Sequence, residues 1–445
     1  MKTFTERILW VAVLLLVTGL FIIGCGDDET EDVEDLLLEE EEAAGTTLIE
    51  VPPAYVFDSR FVQGESSVAY SGQTVRNLLL QDLKVLIDSL AKDGAQPIAV
   101  QDMLNLYTYD DALNLQSLST AGATPVLESH YSAISTGKSL VGKISGDVVI
   151  GYNRTADDLV NEWFQIIADN SQDPAKLGTP AVYTTDNGVD LTQMINKVLI
   201  GAVPYYQATG VYLAGLLERD NSEARNGTDP YTSMEHGWDE AFGYFGAARD
   251  YFRYTDAELA GGVDDFTFDS NGDGSIDFKS EYNFGLSRNA GKRDKGGSGV
   301  DLTREIFDAF LRGRTFIANQ GTEVDIIQQR ELAANSMEKV IAATIVHYVN
   351  DTLSDMSNLG TDVENRVNLN KHWAEMKGFT VALQYNPFKL IGDGQLQELH
   401  GIMGEAPSYD APGTPAYDTT VRNYNRAKDV LQAAYGFSAA NMANW

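Results

Sequence analysis

The stretch "HGWDEAFGYFG", His236 to Gly246, has an echo in "KHWAEMKGF", Lys371 to Phe379. Aligned on tryptophan, Trp238, Glu240, Gly243 and Tyr244 fall on Trp373, Glu375, Gly378 and Phe379, so both copies read W-x-E-x-x-G-aromatic. The glycine lets a second helix approach closely, and the ring beside it fills the remaining gap. Each copy follows a segment of similar helical character, Met194 to Leu217 in one case and Met337 to Met356 in the other. A duplicated helical unit accounts for this arrangement, with the two Trp–Glu segments at matching positions in the interior.

The surrounding sequence is helical in pattern. Val75, Leu78, Leu79, Leu83, Leu86 and Leu90 recur at three- and four-residue steps, which predicts an amphipathic helix with one buried stripe. Thr155 ahead of "ADDLVNEWFQII", with Asp158 three residues on, resembles a capping box. Asp190 with Gln193 opens "LTQMINKVLIGAVPYYQATGVYLAGLL", in which Pro204 is expected to kink or interrupt the helix. Further helices are expected after Asp301, from near Thr322 to about Met356, and from about Thr419 to Tyr435. One β-hairpin is expected in "SLVGKISGDVVIGY", with its turn near Ser145 and Gly146. Long amphipathic helices with modest connections predict an all-α fold of two related up-and-down bundles. The halves are placed at 51–255 and 301–445, with 256–300 as a loop between them.

Ahead of this body, Lys2 and Arg7 give a basic start to an apolar run from Ile8 to Ile23, and "IIGC" sets Gly24 before Cys25. Basic, apolar and small segments in that order mark a secretory signal. Cysteine at the cleavage position makes 1–25 read as a bacterial lipoprotein signal, cut before Cys25 and lipidated on its sulfur. The apolar run is short for a membrane span, which needs roughly 20 residues, whereas two acyl chains anchor a protein stably. Residues 26–50 are dense in acids and free of aromatics, a composition that stays extended as a tether. The expected location is the cell envelope, as an outer-membrane lipoprotein that is periplasmic or surface-exposed. Cys25 is the only cysteine, so no disulfide is available and stability rests on core burial. A formal charge of −33 argues against nucleic acid and against docking on anionic lipid.

Two constellations have the spacing of metal sites, each with a plainer alternative: a solvated Asp-Gly turn for the first and helix bridging for the second. "DSNGDGSIDFKSE", Asp269 to Glu281, places oxygen donors at alternate positions and glycine at the sixth, the pattern of a calcium loop. Asp269, Asn271 and Asp273 would give side chains, Ser275 its carbonyl, and Asp277 a direct or water-mediated contact. The closing Glu281 is thirteenth instead of twelfth, where Ser280 stands, so the loop is EF-hand-like. Bound calcium would tie down a segment, Ala260 to Gly299, that is rich in glycine and charge. The second constellation is the repeat itself. His236 and Glu240 lie four apart and His372 and Glu375 three apart, so each pair shares a helix face. Bundle interiors build transition-metal sites this way, which makes His236, Glu240, His372 and Glu375 candidates for iron or zinc. The competing expectation is structural, with Glu240 and Glu375 bridging helices. The histidines do not align within the repeat, where Gly237 corresponds to His372. His347 reads as a core-facing polar residue, and His130 and His400 carry no motif.

The segments "VPPAYVF", "SSVAYSGQTVRNLLLQDL", "MEHGWDEAFGYFG", "SEYNFGLSRNAGKRD", "IFDAFLRGRTFI" and "KHWAEMKGFTVALQYNP" resemble the imelysin-like lipoproteins. The chain is most similar to the branch catalogued as domain of unknown function 4856 (DUF4856). The resemblance implies two related four-helix bundles, an envelope location and association with iron or other metal uptake. The broader group carries a G-x-H-x-x-E signature and was once classed with metallopeptidases. His372 and Glu375 keep that spacing, but Asn370 stands at the glycine position; Met234 stands there for His236, which is followed by Asp239 and Glu240.

No H-E-x-x-H, G-x-S-x-G or phosphate-cradling P-loop pattern occurs, and the lone cysteine is assigned to lipid, so enzymatic activity is unsupported. The expected function is binding of a metal ion or metal-bearing ligand as an accessory to metal uptake at the outer membrane. The alternative is a calcium-stabilised surface module that binds a protein or glycan; a metallopeptidase comes third.

Overall fold

Helix starts are built by the local pairs that the sequence names. In the computed structural model, which describes residues 49–261, 266–359 and 363–445, Thr155 Oγ1 accepts the Asp158 amide and the Asp158 carboxylate accepts the Thr155 amide in return. Asp190, Asp301 and Thr322 likewise accept the amide three residues ahead. These acceptors satisfy N–H groups that a helix end leaves open. The expected signal segment 1–25, with the lipidation expected at Cys25, and nearly all of the expected acidic tether lie outside the described residues.

In chain order the principal helices are α1 (Ser71–Ser89), α2 (Val100–Tyr107), α3 (Ala156–Ser171) and α4 (Leu191–Ile200). They continue with α5 (Ser233–Phe245), α6 (Gly285–Gly296), α7 (Leu302–Ala318) and α8 (Glu323–Ser357). The last four are α9 (Val363–Ala382), α10 (Asp393–Met403), α11 (Pro415–Tyr435) and α12 (Ala439–Asn444). The fold is all-α: among the described residues only isolated β-bridges form, and no strand. The long α8 packs most extensively on α9 and α7, α4 lies against both α9 and α1, and the chain beyond α4 packs on α5. Residues Glu50–Trp445 form one compact unit, and its apolar core runs without a break across positions 255 and 300. No helix among the described residues is long and apolar enough to cross a membrane.

Two expectations need correction, and a third is sharpened. Pro204 interrupts the α-helical winding, which stops at Ile200, but does not end the rod. The backbone stays right-handed through Ile200, Tyr206 and Ala214, and the chain winds on in wide π-type turns over Gly201–Tyr205 and Gln207–Leu213. Proline lacks the N–H for a normal turn, and widening accommodates its ring without breaking the rod. The expected hairpin at 139–152 is absent. Its alternating residues instead form a tight turn at Val141–Lys143 and a single bridge from Val148 to Thr155. The Ser145 amide donates to the Ala202 carbonyl within the widened winding, at 2.9 Å, so the helix rather than a partner strand takes that bond. The interval 256–300, expected as loop, contains α6. Glycine and charge hid it, yet Gly291 packs so tightly on Leu259 that an added Cβ would sit 2.4 Å from the leucine Cβ.

Candidate functional site

The two copies of the motif are solved by the same contacts. Trp238 and Trp373 are both fully buried. The Trp238 indole N–H donates to the Phe310 carbonyl on α7 at 2.9 Å, and that of Trp373 to the Met403 carbonyl on α10 at 3.1 Å. Each indole thus takes a backbone acceptor on a neighbouring helix. Glu240 Oε1 accepts the Tyr212 hydroxyl at 3.0 Å; Glu375 Oε1 accepts the Tyr348 hydroxyl at 2.9 Å. Tyr212 precedes its glutamate by 28 residues and Tyr348 by 27. The same tyrosines stack on the motif's last ring, Tyr212 on Tyr244 at 6.0 Å and Tyr348 on Phe379 at 6.1 Å between centroids.

A second donor joins the tyrosine on Oε1 of each glutamate, while Glu375 Oε2 is buried with no hydrogen-bond partner among the described residues. Gln73 of α1 reaches Glu240 Oε1 at 2.9 Å, and Lys197 of α4 reaches Glu375 Oε1 at 3.3 Å. The motif glycines make room for those two residues: a Cβ at Gly243 would meet Gln73 Cβ at 2.9 Å, and one at Gly378 would meet Lys197 Cβ at 2.6 Å. Gln73 and Lys197 are therefore structural equivalents, which the sequence reading did not identify. Both glutamates act as bridges, each tying its own helix to two others.

The copies differ in charge. Beside Trp238 stands Asp239, where the second copy has Ala374. Arg314, Glu235 and Asp239 are fully buried together: Arg314 donates to Asp239 Oδ1 at 2.9 Å, to Glu235 Oε1 at 3.1 Å and to Ser67 Oγ at 2.7 Å. Tyr55 donates to the same Oδ1 of Asp239, and the Ala69 amide donates to Oδ2. Burial opposes the charge on Arg314, but Asp239 and Glu235 hold its pKa above the ordinary value. In the second copy the charge sits on the bridge. Burial raises the Glu375 carboxyl, but Lys197 and Lys371 outweigh it and hold the pKa below the usual carboxylate range. Burial lowers Lys197.

The predicted histidines part company. His236 stacks on Tyr231 and lies 3.6 Å from Glu240 Oε2, with its pKa lowered by burial against the pull of Glu240. His372 turns instead to two α8 acids, Asp355 at 2.7 Å and Asp351 at 3.8 Å; His347 also faces Asp351, at 3.3 Å. His236 thus stays beside its glutamate, whereas His372 pairs with α8 acids instead of Glu375, and the four predicted residues do not converge. Among the described residues no three His, Cys, Asp or Glu side chains come together as a set able to hold a metal ion.

In the loop expected to hold calcium, Gly272 and Gly274 take left-handed φ of +75° and +87°, making the turn. Asp269 accepts the amides of Gly272, Asp273 and Gly274, Asn271 accepts that of Asp273, and Asp273 that of Ser275. Glu281 is buried beneath the loop. Its Oε1 takes Ser270 and the Asn271 amide while Oε2 takes the Asp277 amide. Ile276 docks the loop on the body through paired bonds with Pro125 and Leu127. The donor chemistry of Asp269, Asn271, Asp273, Ser275 and Asp277 suits calcium, whereas Glu281 as placed is a brace for the loop's own amides.

The profile of the family described as Domain of unknown function (DUF4856) matches residues 52–390. No curated protein and no solved structure matches the chain. That match takes in both copies of the motif, their tyrosine partners, Gln73, Lys197 and the acidic loop, and the chain belongs to the DUF4856 family.

Proposed function

We propose that this protein is a lipid-anchored envelope protein of imelysin-like ancestry that binds a metal-bearing ligand as an accessory to iron or other metal uptake. Calcium, held by the loop from Asp269 to Asp277 with Glu281 beneath it, braces the helical body. One observation carries the kinship: every shared position of the W-x-E-x-x-G-aromatic motif makes the same contact in both copies. Convergence of that detail supports a duplicated bundle, the architecture that the imelysin resemblance implies. The signal ending in Cys25 and the acidic tether support the envelope location.

A bare iron or zinc ion on Oε1 of Glu240 or Glu375 competes with a tyrosine and a second donor, which leaves Glu375 Oε2 and His236 Nδ1 as the atoms without a partner among the described residues. Elemental analysis of the purified protein tests both metals. Calcium is expected near one equivalent and lost in Asp269→Ala/Asp273→Ala; calcium absent from the wild type sinks the brace. Iron or zinc that is retained by the wild type and released by Glu240→Gln or Glu375→Gln assigns a bare ion to the motif. Absence of a growth defect on deletion under iron limitation would count against the uptake role. Incorporation of labelled fatty acid should vanish in Cys25→Ser.

The interaction-module reading retains one supporting observation. Leu127, which pairs with Ile276 of the loop, and Phe268 at the loop's start are about half exposed. Apolar side chains beside a calcium-braced loop suit a protein or glycan partner.

A further inference from the structure

The first motif copy and the lysine that bridges to the second both line a cavity of about 240 Å³ between α1, α4, α5 and the start of α6. One wall carries Tyr244, the aromatic end of the first copy, and another carries Lys197, the donor to the second copy's glutamate. The chain has a formal charge of −33, yet the cavity is lined by Lys84, Lys197, Arg288 and Lys292 and, among the described residues, by no carboxylate. Two of these cations are matched: Lys84 pairs with Asp88 and Lys197 with Glu375. Two are not. Arg288 gives its guanidinium to the Gly261 and Leu259 carbonyls and the face of Phe266, with no carboxylate partner among the described residues. Lys292 has no hydrogen-bond or ion-pair partner among the described residues.

An unpaired ammonium in a partly enclosed site is costly unless an anion joins it. Burial, with Arg288, Lys197 and Arg293 adding to it and Glu375 opposing, pushes Lys292 down to about 8. The helix α6 also opens on this wall at Gly285 and Leu286, with no side chain capping its N-terminus, and helix starts favour negative charge. Ile200 and Phe284 supply an apolar side. The volume is several times the ~30 Å³ share of one water and below the ~300 Å³ of drug-sized pockets.

We infer that this cavity binds a small organic polyanion, a carbon skeleton bearing two or more carboxylate or phosphate groups, with Lys292 and Arg288 taking the negative charge. The site uses neither the calcium loop's oxygens nor the lipid anchor, so it stands or falls apart from the function proposed above.

Calorimetric titration of the full-length protein with citrate, glucose 6-phosphate and inorganic phosphate tests this. At least one organic anion is expected to bind, and inorganic phosphate at least tenfold more weakly, because it leaves the apolar side unfilled. Preference for citrate identifies the head groups as carboxylates, and preference for the sugar phosphate identifies a phosphate. Lys292→Gln should weaken binding tenfold or more with an unchanged unfolding temperature, whereas Lys295→Gln, on the same helix outside the cavity, should leave it intact. At pH 8.5 binding should take up part of a proton as Lys292 regains its charge. Binding of none of the three, equal binding of inorganic phosphate, or full affinity in Lys292→Gln would overturn the inference.

Discussion

The first Trp–Glu segment and the second share a geometry but solve their electrostatics differently. Around Glu240 both donors, Gln73 and Tyr212, are neutral, and the buried charge is placed one residue away in the Asp239–Arg314–Glu235 cluster. Around Glu375 the charge lies in the bridge, on Lys197, and position 374 is alanine. What the two copies keep is shape: an indole on a backbone carbonyl, a tyrosine on the glutamate, and a glycine that admits the second donor. Packing therefore defines the repeat, while charge has been free to move between neighbouring positions. A buried ion cluster contributes little net stability over an apolar one, but removing one member leaves the rest uncompensated.

That asymmetry predicts the largest effect. Arg314→Met leaves Asp239 fully buried without its cation and Glu235 with only Arg60, at 3.4 Å, and urea unfolding should show a loss of about 3–5 kcal/mol. Adding Glu235→Gln and Asp239→Asn to the same variant should restore much of it. Lys197→Met in the second copy should cost less, about 1–3 kcal/mol, because Glu375 keeps Tyr348. Equal losses would mean that the two copies carry charge in the same way after all.

The shared part of the comparison is tested by the glycines. Alanine in place of a helical glycine normally gains about 1 kcal/mol. Here an added Cβ at Gly243 would lie 2.7 Å from Tyr70 Cβ, and one at Gly378 would lie 2.6 Å from Lys197 Cβ. Gly243→Ala and Gly378→Ala should each lose about 1–3 kcal/mol by overpacking, in similar amounts. A stabilising alanine at either position would show that the helices can part there, and the proposed equivalence of Gln73 and Lys197 would fail.

The parts of this arrangement legible in the sequence are those with a short range. Thr155 with Asp158, Asp190 with Gln193, and Asp301 and Thr322 declare helix starts because donor and acceptor are three residues apart. The repeat itself was readable because tryptophan is rare and its offsets to glutamate and glycine are fixed. Its partners were not. Gln73 lies 167 residues from Glu240, and nothing in "SGQTVRN" distinguishes that glutamine from a surface one. Tyr212 and Tyr348 did carry a usable signal, at nearly equal distances before their glutamates. Arg314, in "FLRGRTFIA", reads as an ordinary helix charge; the hint lay in the second acid of "WDE", one carboxylate more than the other copy has. The expected hairpin failed because alternation also fits a loop whose amides bond to a widened helix.

The smallest difference between the copies is their response to acid. His347, beside the tyrosine of the second bridge, has its pKa pushed down to about 3, by burial first and Arg293 next. In the unfolded chain a histidine titrates near ~6.5. Between those values the unfolded state binds a proton that the folded state refuses, so stability falls as pH drops from about 6.5 toward 3. With the His347 ring 31% exposed, solvent screening leaves about 1 kcal/mol of that loss between pH 7 and pH 5. His347→Gln should remove it, seen as a flatter dependence of the urea midpoint on pH. His236 is lowered as well, but Glu240 pulls against its burial, so His236→Gln should flatten the curve less. The same slope in wild type and His347→Gln would mean that Asp351, 3.3 Å from the ring, keeps the imidazole protonatable, and that the second copy is no more acid-sensitive than the first.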